Sequence, residues 1–223
     1  METLKTFRHE FNYVVSYEEM LKLRSELDKV LTLDRGHPYM LRSLYFDSFD
    51  DIDYYEKQNG ALNRKKIRIR IYDSKDDWAK IEIKAKYDIH QLKESLIISK
   101  DDALSIIEGN YDVLDKYDNE LAQKVYRLLM DGGYKPKVII EYQRAAYMTE
   151  LNNRITFDYD IKRSDDFEKF YTEDINYYTV SDSKEVVLEV KFDRFLEPYL
   201  SKILSKYINR NQSVSKYVLG RND

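Results

Sequence analysis

Residues 66–72 read Lys66-Ile67-Arg68-Ile69-Arg70-Ile71-Tyr72, a strict alternation that an extended strand with two unlike faces satisfies. Ile67, Ile69 and Ile71 point one way; Lys66, Arg68, Arg70 and Tyr72 point the other. Lys80-Ile81-Glu82-Ile83-Lys84-Ala85-Lys86 repeats the arrangement, with four charged residues backed by Ile81, Ile83 and Ala85. The segment Asp73–Asp77 between them suits a hairpin, which sets the two charged rows side by side. Antiparallel neighbours stand within about 5 Å, and like charges directly opposite each other destabilise a sheet.

The same alternation recurs along the chain. Thr6–Val15 reads as a first strand, with Phe7, Phe11, Tyr13 and Val15 opposite Arg8, Glu10 and Asn12. Ser16 and Glu19 form a capping-box pattern, and Met20, Leu21, Leu23, Leu27, Val30 and Leu31 then fall at helical spacing. A strand over Met40–Phe46 leads into a short helix near Tyr54–Gln58, stopped by Asn59-Gly60. Further strands are expected at Gln91–Ile98, Lys137–Met148, Arg154–Tyr159 and Glu185–Phe192, with helices at Asp101–Glu108, Asn119–Met130 and Pro198–Tyr207. Lys216 falls in a polar tail. No Pro-, Gly- or Ser-rich linker divides the chain, so a single domain over residues 1–223 is expected, of α+β class.

Charge narrows the functional classes. The chain carries a net charge of -4, which argues against a general nucleic-acid or anionic-membrane binder. Yet Arg64–Lys93 holds ten Lys/Arg and five Asp/Glu, so the basic charge is concentrated in predicted strands. Having no Cys, the chain can form neither a disulfide nor a thiolate metal site, and three His are few for a His-rich one. Any metal would be a hard cation on carboxylates. The apolar runs are far short of the roughly 20 residues that cross a bilayer, and the N-terminus lacks a signal peptide's apolar stretch, so a cytoplasmic protein is expected.

Two readings of the charged rows are open on the residues alone. They are the wet face of an antiparallel sheet, or they line a lumen if the sheet curls with its apolar face outward under the helices. Arg68, Arg70, Arg144 and Arg154 recur near strand centres, and Arg is the side chain suited to forked recognition of phosphate oxygens. Carboxylates are sparse on these faces. Glu82 reads as the neutraliser of Lys80 and Lys84, whereas Glu189, a carboxylate among cations, is the better candidate for recruiting Mg²⁺ or Mn²⁺. RNA stacking needs aromatics on the basic face, and Phe11, Tyr13, Phe157 and Tyr159 fall opposite it.

Eight segments in register carry a resemblance: Arg8-His9-Glu10, Ser43–Asp47, Ile67–Tyr72, Glu82-Ile83-Lys84, Tyr142-Gln143-Arg144, Arg154–Asp158, Leu188–Lys191 and Ser215-Lys216-Tyr217. Their order resembles that of vacuolar-transporter-chaperone (VTC) domains, polyphosphate polymerases among the triphosphate tunnel metalloenzymes, in a stand-alone bacterial form without the SPX sensor and membrane segments. The resemblance implies an antiparallel β-barrel tunnel with surrounding and C-terminal helices. It implies that Arg68, Arg70, Lys84, Arg144 and Arg154 act on the transferred phosphate, and that Arg8, Lys57, Lys93, Lys191 and Lys216 bind substrate. Glu189, with Glu10, would hold Mn²⁺ or Mg²⁺. The partners implied are a nucleoside triphosphate, ATP by preference, and polyphosphate, with neither nucleic acid nor direct membrane insertion. The family's pattern has a Lys where this chain has Asn12 and a further basic residue where it has Ser213, so two cations are missing from the expected lining.

A polymerase's nucleophile is a phosphate oxygen that is already anionic, whereas a hydrolase must orient and deprotonate water, usually with a carboxylate. Hydrolytic relatives tend to show Glu-x-Glu-x-Lys on the first strand; here the inward positions are Arg8, Glu10 and Asn12. Polymerase is therefore the expectation, with a metal-dependent tripolyphosphate or nucleoside triphosphate hydrolase, or a non-catalytic polyphosphate-binding module, as the alternatives.

Overall fold

The computed structural model describes residues 9–88, 90–180, 184–208 and 214–221. Arg8 and Ser213 lie outside the described residues, as do Thr6 and Phe7 of the expected first strand. The strands are β1 (His9–Ser16), β2 (Tyr39–Asp47), β3 (Arg64–Ile71), β4 (Trp78–Tyr87), β5 (His90–Ser99), β6 (Lys135–Met148), β7 (Arg154–Ser164), β8 (Tyr178–Thr179) and β9 (Glu185–Phe192). They form one antiparallel sheet in the order β1-β9-β7-β6-β2-β3-β4-β5, with β8 added to β7. The expected α+β tunnel architecture is what the chain forms. It is not a hydrogen-bonded ring: among the described residues no ladder joins β1 to β5, and the sheet curls round a lumen with that seam unpaired.

Alternation decides which side faces out. Ile67, Ile69, Ile71, Ile81 and Ile83 are fully buried under the helices α3 (Lys100–Ile107) and α4 (Glu120–Asp131), where Ala103, Ile106, Leu121, Val125 and Leu129 meet them. Each such Ile stabilises the fold by about 1.5–3 kcal/mol. A second outer core sets Ala145, Ile155, Phe157, Leu188 and Val190 against Met20, Leu23 and Leu27 of α1 (Tyr17–Leu27) and Leu200 and Leu204 of α5 (Pro198–Leu204). With both outer faces covered, the charged rows face inward.

Local signals account for the helix starts. Ser16 and Glu19 close the capping box of α1, Ser99 caps α3 and Asn119 caps α4. Two helices stop earlier than periodicity predicts. Helix α1 ends at Leu27, leaving Val30 exposed, and α5 ends at Leu204, short of Tyr207. The helix α2 (Ile52–Gln58) lies where expected.

The C-terminal segment corrects the expectation of a polar tail. Lys216 begins a four-residue helix, α6 (Lys216–Leu219), and Tyr217 behind it is 1% exposed. Tyr217 stacks on Tyr45 and hydrogen-bonds to Asp47, while Arg221 forms a forked pair with Asp51. Gly220 permits this docking, because a Cβ there would fall 2.0 Å from Ile140 Cδ1. Part of the lumen is accordingly apolar: Leu41, Tyr45, Val138, Ile140, Tyr142 and Val187 pack round Tyr217. Among the described residues no helix is long and apolar enough to cross a membrane.

Candidate active site

The ladder registers put the inward cations directly opposite one another. Arg64 faces Lys86, Lys66 faces Lys84, Arg70 faces Lys80, Lys84 faces Lys93 and Arg154 faces Lys191. Cross-strand pairs are the units of sheet stabilisation, so five positive–positive pairs, four across β3–β5 and one between β7 and β9, are local penalties that the acids beside Lys84, Lys93, Arg154 and Lys191 relieve in part and a bound anion would relieve further.

Buried carboxylates fix this wall in place. Glu82, 1% exposed, accepts from Arg68 Nε at 2.6 Å, sits 2.5 Å from Lys93 Nζ and has Arg70 at 4.0 Å. It is a neutraliser, as its sequence suggested, but of Arg68, Arg70 and Lys93 rather than of its strand neighbours Lys80 and Lys84. Burial would raise its carboxyl, but those three cations hold it far below the usual carboxylate range. Asp158, fully buried, takes a forked pair from Arg144 at 2.6 and 2.7 Å, and Lys216 Nζ at 2.6 Å. Burial works against ionisation there too, and Arg144 and Lys216 outweigh it. Arg70 is tied by Ser43 Oγ at 3.0 Å and Tyr142 Oη at 3.3 Å. Each guanidinium is thereby held in one orientation.

Lys84 crosses the seam to Glu10 at 3.3 Å, and Lys191 stands between Glu10 at 3.5 Å and Glu189 at 2.9 Å. Glu189 also accepts from Thr156 Oγ1 at 3.5 Å. Burial favours its neutral form, yet Lys191, Arg144 and Lys216 keep its carboxyl well below the ordinary range. Among the described residues no three carboxylates or imidazoles converge as a protein-only metal cage. Glu10 and Glu189 flank the Lys191 ammonium, so a Mg²⁺ or Mn²⁺ held by them, with phosphate oxygens and water completing the shell, would take its place. Glu189 and Glu10 are the residues that would hold it.

A cavity of about 450 Å³ opens over Lys57, Arg64, Lys65, Lys66, Lys84 and Lys86, with Glu10, Asn12 and Asp53 as its other polar walls and Ser215 and Tyr217 at its edge. From Lys66 the same face of β3 runs on to Arg68 and Arg70, more deeply buried. Burial lowers the Lys66 ammonium to about 8. Next to it, burial would raise the Tyr45 phenol, but Arg68, Lys66 and Arg70 together bring it down to about 7. Lys57 and Lys84 are likewise pushed down, chiefly by burial.

The structure thus brings together Arg68, Arg70, Lys84, Lys93, Arg144, Lys191, Lys216, Glu10 and Glu189, with Lys57 at the cavity wall. Arg154 neighbours Lys191 in the ladder, but its guanidinium turns to Asp34 at 3.2 Å and Tyr39 at 3.3 Å and is half-buried. Lys93 is the most open of the set, its side chain 51% exposed. Lys66, Asp158, Tyr45, Tyr142 and Asp53 were not among the predicted site residues. Lys66 and Asp158 sit on the alternating faces already read as inward. The tyrosines gave no signal, since a buried Tyr in a strand reads as core. Tyr39, Tyr45, Tyr142 and Tyr217 do share the lumen with the cations, but at 8% exposure or less they are packed walls with no open face for a base.

A family profile described as the VTC domain matches residues 7–222. The chain belongs to the VTC domain family. No curated protein sequence matches this VTC chain. Among the solved structures of similar fold are three candidate cyclases. A candidate adenylyl cyclase from Hippeastrum, described as revealing a dominant triphosphatase activity, superposes with a TM-score of 0.58 at 14% identity, covering 95% of this chain and 94% of that one. A candidate adenylate cyclase from Bacillus halodurans gives 0.55 at 16% identity, over 92% and 89%. Another from Vibrio parahaemolyticus gives 0.54 at 10% identity, over 97% and 98%.

Proposed function

We propose that this VTC-family chain is an enzyme acting on triphosphates, and specifically a metal-dependent polyphosphate polymerase that moves the terminal phosphate of a nucleoside triphosphate, ATP by preference, onto a polyphosphate chain held in the tunnel. The observation that carries the reading is the set of five directly opposed cation pairs on the inner wall. A wall of this kind is relieved by a long, thin polyanion, and a phosphate chain presents charged oxygens along its whole length to meet the guanidinium and ammonium groups.

Phosphoryl transfer asks for in-line positioning and neutralisation of the moving group. Arg68, Arg70 and Arg144, each pinned by a buried acid or hydroxyl, present guanidinium edges whose orientation is set before substrate arrives. Lys84, Lys191 and Lys216 add charge from the seam and the C-terminal helix, and Arg154, Lys57 and Lys93 hold the outlying phosphates. A bound Mg²⁺ or Mn²⁺ on Glu189 and Glu10 would supply further neutralisation of phosphate oxygens. The acceptor, a terminal phosphate oxygen, needs no base.

Hydrolysis is the second reading, favoured by the triphosphatase activity of the Hippeastrum protein. It requires a carboxylate basic enough to activate water. Glu82, Asp158 and Glu189 are all shifted below the ordinary range by the cations that hold them, which makes them weak bases, and Asp53, raised to about 6, has its free oxygen screened from the water that it would have to activate. Incubation with ATP, and separately with tripolyphosphate, in Mn²⁺ or Mg²⁺, followed by gel analysis, distinguishes the readings. Acid-stable chains with ADP are expected, and Arg70→Ala is expected to abolish them. Orthophosphate as the sole phosphate product would reverse the order. Tight polyphosphate binding without ADP release in either metal would leave a binding module.

A further inference from the structure

Two buried oxygens on the wall of the cavity are left over by the phosphate-holding scheme. Asp53, 1% exposed, accepts at Oδ1 from Tyr134 Oη at 2.9 Å and Lys65 Nζ at 3.1 Å, while among the described residues its Oδ2 has no hydrogen-bond partner. Ser215, which leads into α6, has an equally orphaned Oγ, and both residues line the same cavity as Lys57 and Lys66. Buried polar atoms are nearly always satisfied, so two such atoms at one cavity point to a missing partner.

The chemistry of that partner is constrained. A carboxylate oxygen only accepts, so it calls for an O–H or N–H donor. A phosphate chain offers almost none at neutral pH. A divalent cation is better served by the paired carboxylates Glu10 and Glu189; here a single carboxylate oxygen stands beside a neutral hydroxyl, and no three acidic or imidazole side chains converge among the described residues. A ribose supplies two adjacent hydroxyls, and a carboxylate accepting from a ribose hydroxyl is a recurrent way of holding a nucleotide. The Ser215 hydroxyl, able to donate or accept, suits the second.

We infer that the Asp53–Ser215 side of the cavity is the nucleoside end of the site, where a ribose diol hydrogen-bonds Asp53 Oδ2 and Ser215 Oγ while the attached phosphates run past Lys66 towards Arg68. This rests on the reading of the tunnel as a triphosphate site. Both oxygens are screened from water, so the ribose reaches them when the two side chains turn into the cavity that they line. Asp53 then discriminates a ribonucleotide from a bare phosphate chain, which the cation rows alone do not.

The test is calorimetry on the full chain in Mg²⁺ with ATP, 2′,3′-dideoxy-ATP and tripolyphosphate. The unaltered protein is expected to bind ATP at least about tenfold more tightly than the dideoxy nucleotide, the scale of one hydrogen bond to a charged group. In Asp53→Asn that preference disappears while tripolyphosphate affinity stays within about twofold, and Ser215→Ala reduces the preference in part. Equal affinity of the unaltered protein for ATP and its dideoxy form overturns the inference without reference to any variant. An Asp53→Asn loss that falls equally on ATP and tripolyphosphate overturns it as well. Failure of ATP and tripolyphosphate alike to bind would overturn the triphosphate reading itself, and this inference with it.

Discussion

Lys84 on β4 and Glu10 on β1 meet at 3.3 Å although their strands are not neighbours in the sheet. The contact spans the unpaired seam and joins the two walls by charge rather than by backbone ladder. Both side chains keep partial access to water, at 30% and 18%, so the pair counts for less than one sealed in the core. Lys84→Ala is therefore expected to leave the unfolding midpoint nearly unchanged while weakening tripolyphosphate binding. A large loss of stability with unchanged binding would make Lys84 a structural clasp instead.

Glu82 answers to the opposite logic. It is buried against Arg68, Arg70 and Lys93, and removing one partner of a buried charge cluster costs about 3–5 kcal/mol. Denaturant titration of Glu82→Ala should show a loss of that order. Because the stranded cations then lack an anion, tripolyphosphate should restore more stability to Glu82→Ala than it adds to the parent. Equal stabilisation of the two proteins would mean that the ligand does not reach this wall.

Asp53 gives the fold a signature in its dependence on pH. Burial first, and then Asp47, raise its carboxyl to about 6, against an ordinary 3.8. Across that window the folded state keeps a proton that the unfolded chain has lost, so stability falls as pH climbs through it. The penalty is on the order of 2–3 kcal/mol above the folded value. Thermal melts of Asp53→Asn should exceed those of the parent above about pH 6 and converge with them towards pH 4. A constant offset across that range would contradict the assignment.

Tyr45 carries the complementary prediction. Its phenol is drawn down to about 7, and the Lys66 ammonium to about 8, so the folded state sheds both protons more readily than the unfolded chain. Stability contributed by Tyr45 is complete above the ordinary phenol value and fades as pH falls through about 7. Ultraviolet titration should reveal one phenolate forming near neutrality, absent in Tyr45→Phe and displaced to higher pH by tripolyphosphate. No phenolate below about pH 9 would contradict it.

The strands were legible because alternation is a local property: Lys66–Tyr72 and Lys80–Lys86 state their faces without reference to anything distant. The inward orientation was harder, since a wet sheet face alternates in the same way. It is decided by α1, α3, α4 and α5, which cover both apolar faces. The pairing of acids with cations was misread for Glu82, because neighbours along a strand face seemed closer than Arg68 across the ladder. Lys216 was expected in a tail, as four helical residues carry too little periodicity to announce α6. Asp53 and Tyr45 were invisible for a related reason. Their chemistry arises from burial beside Lys65, Lys66 and Arg68, which only the three-dimensional packing supplies.

The central claim, that the opposed cation rows hold a growing phosphate chain, is tested most directly by following ATP with the full protein and Mn²⁺ by phosphorus NMR. One new bridging phosphate for each ADP released is the predicted result. ADP matched by orthophosphate, with no bridging signal at any time, would contradict it.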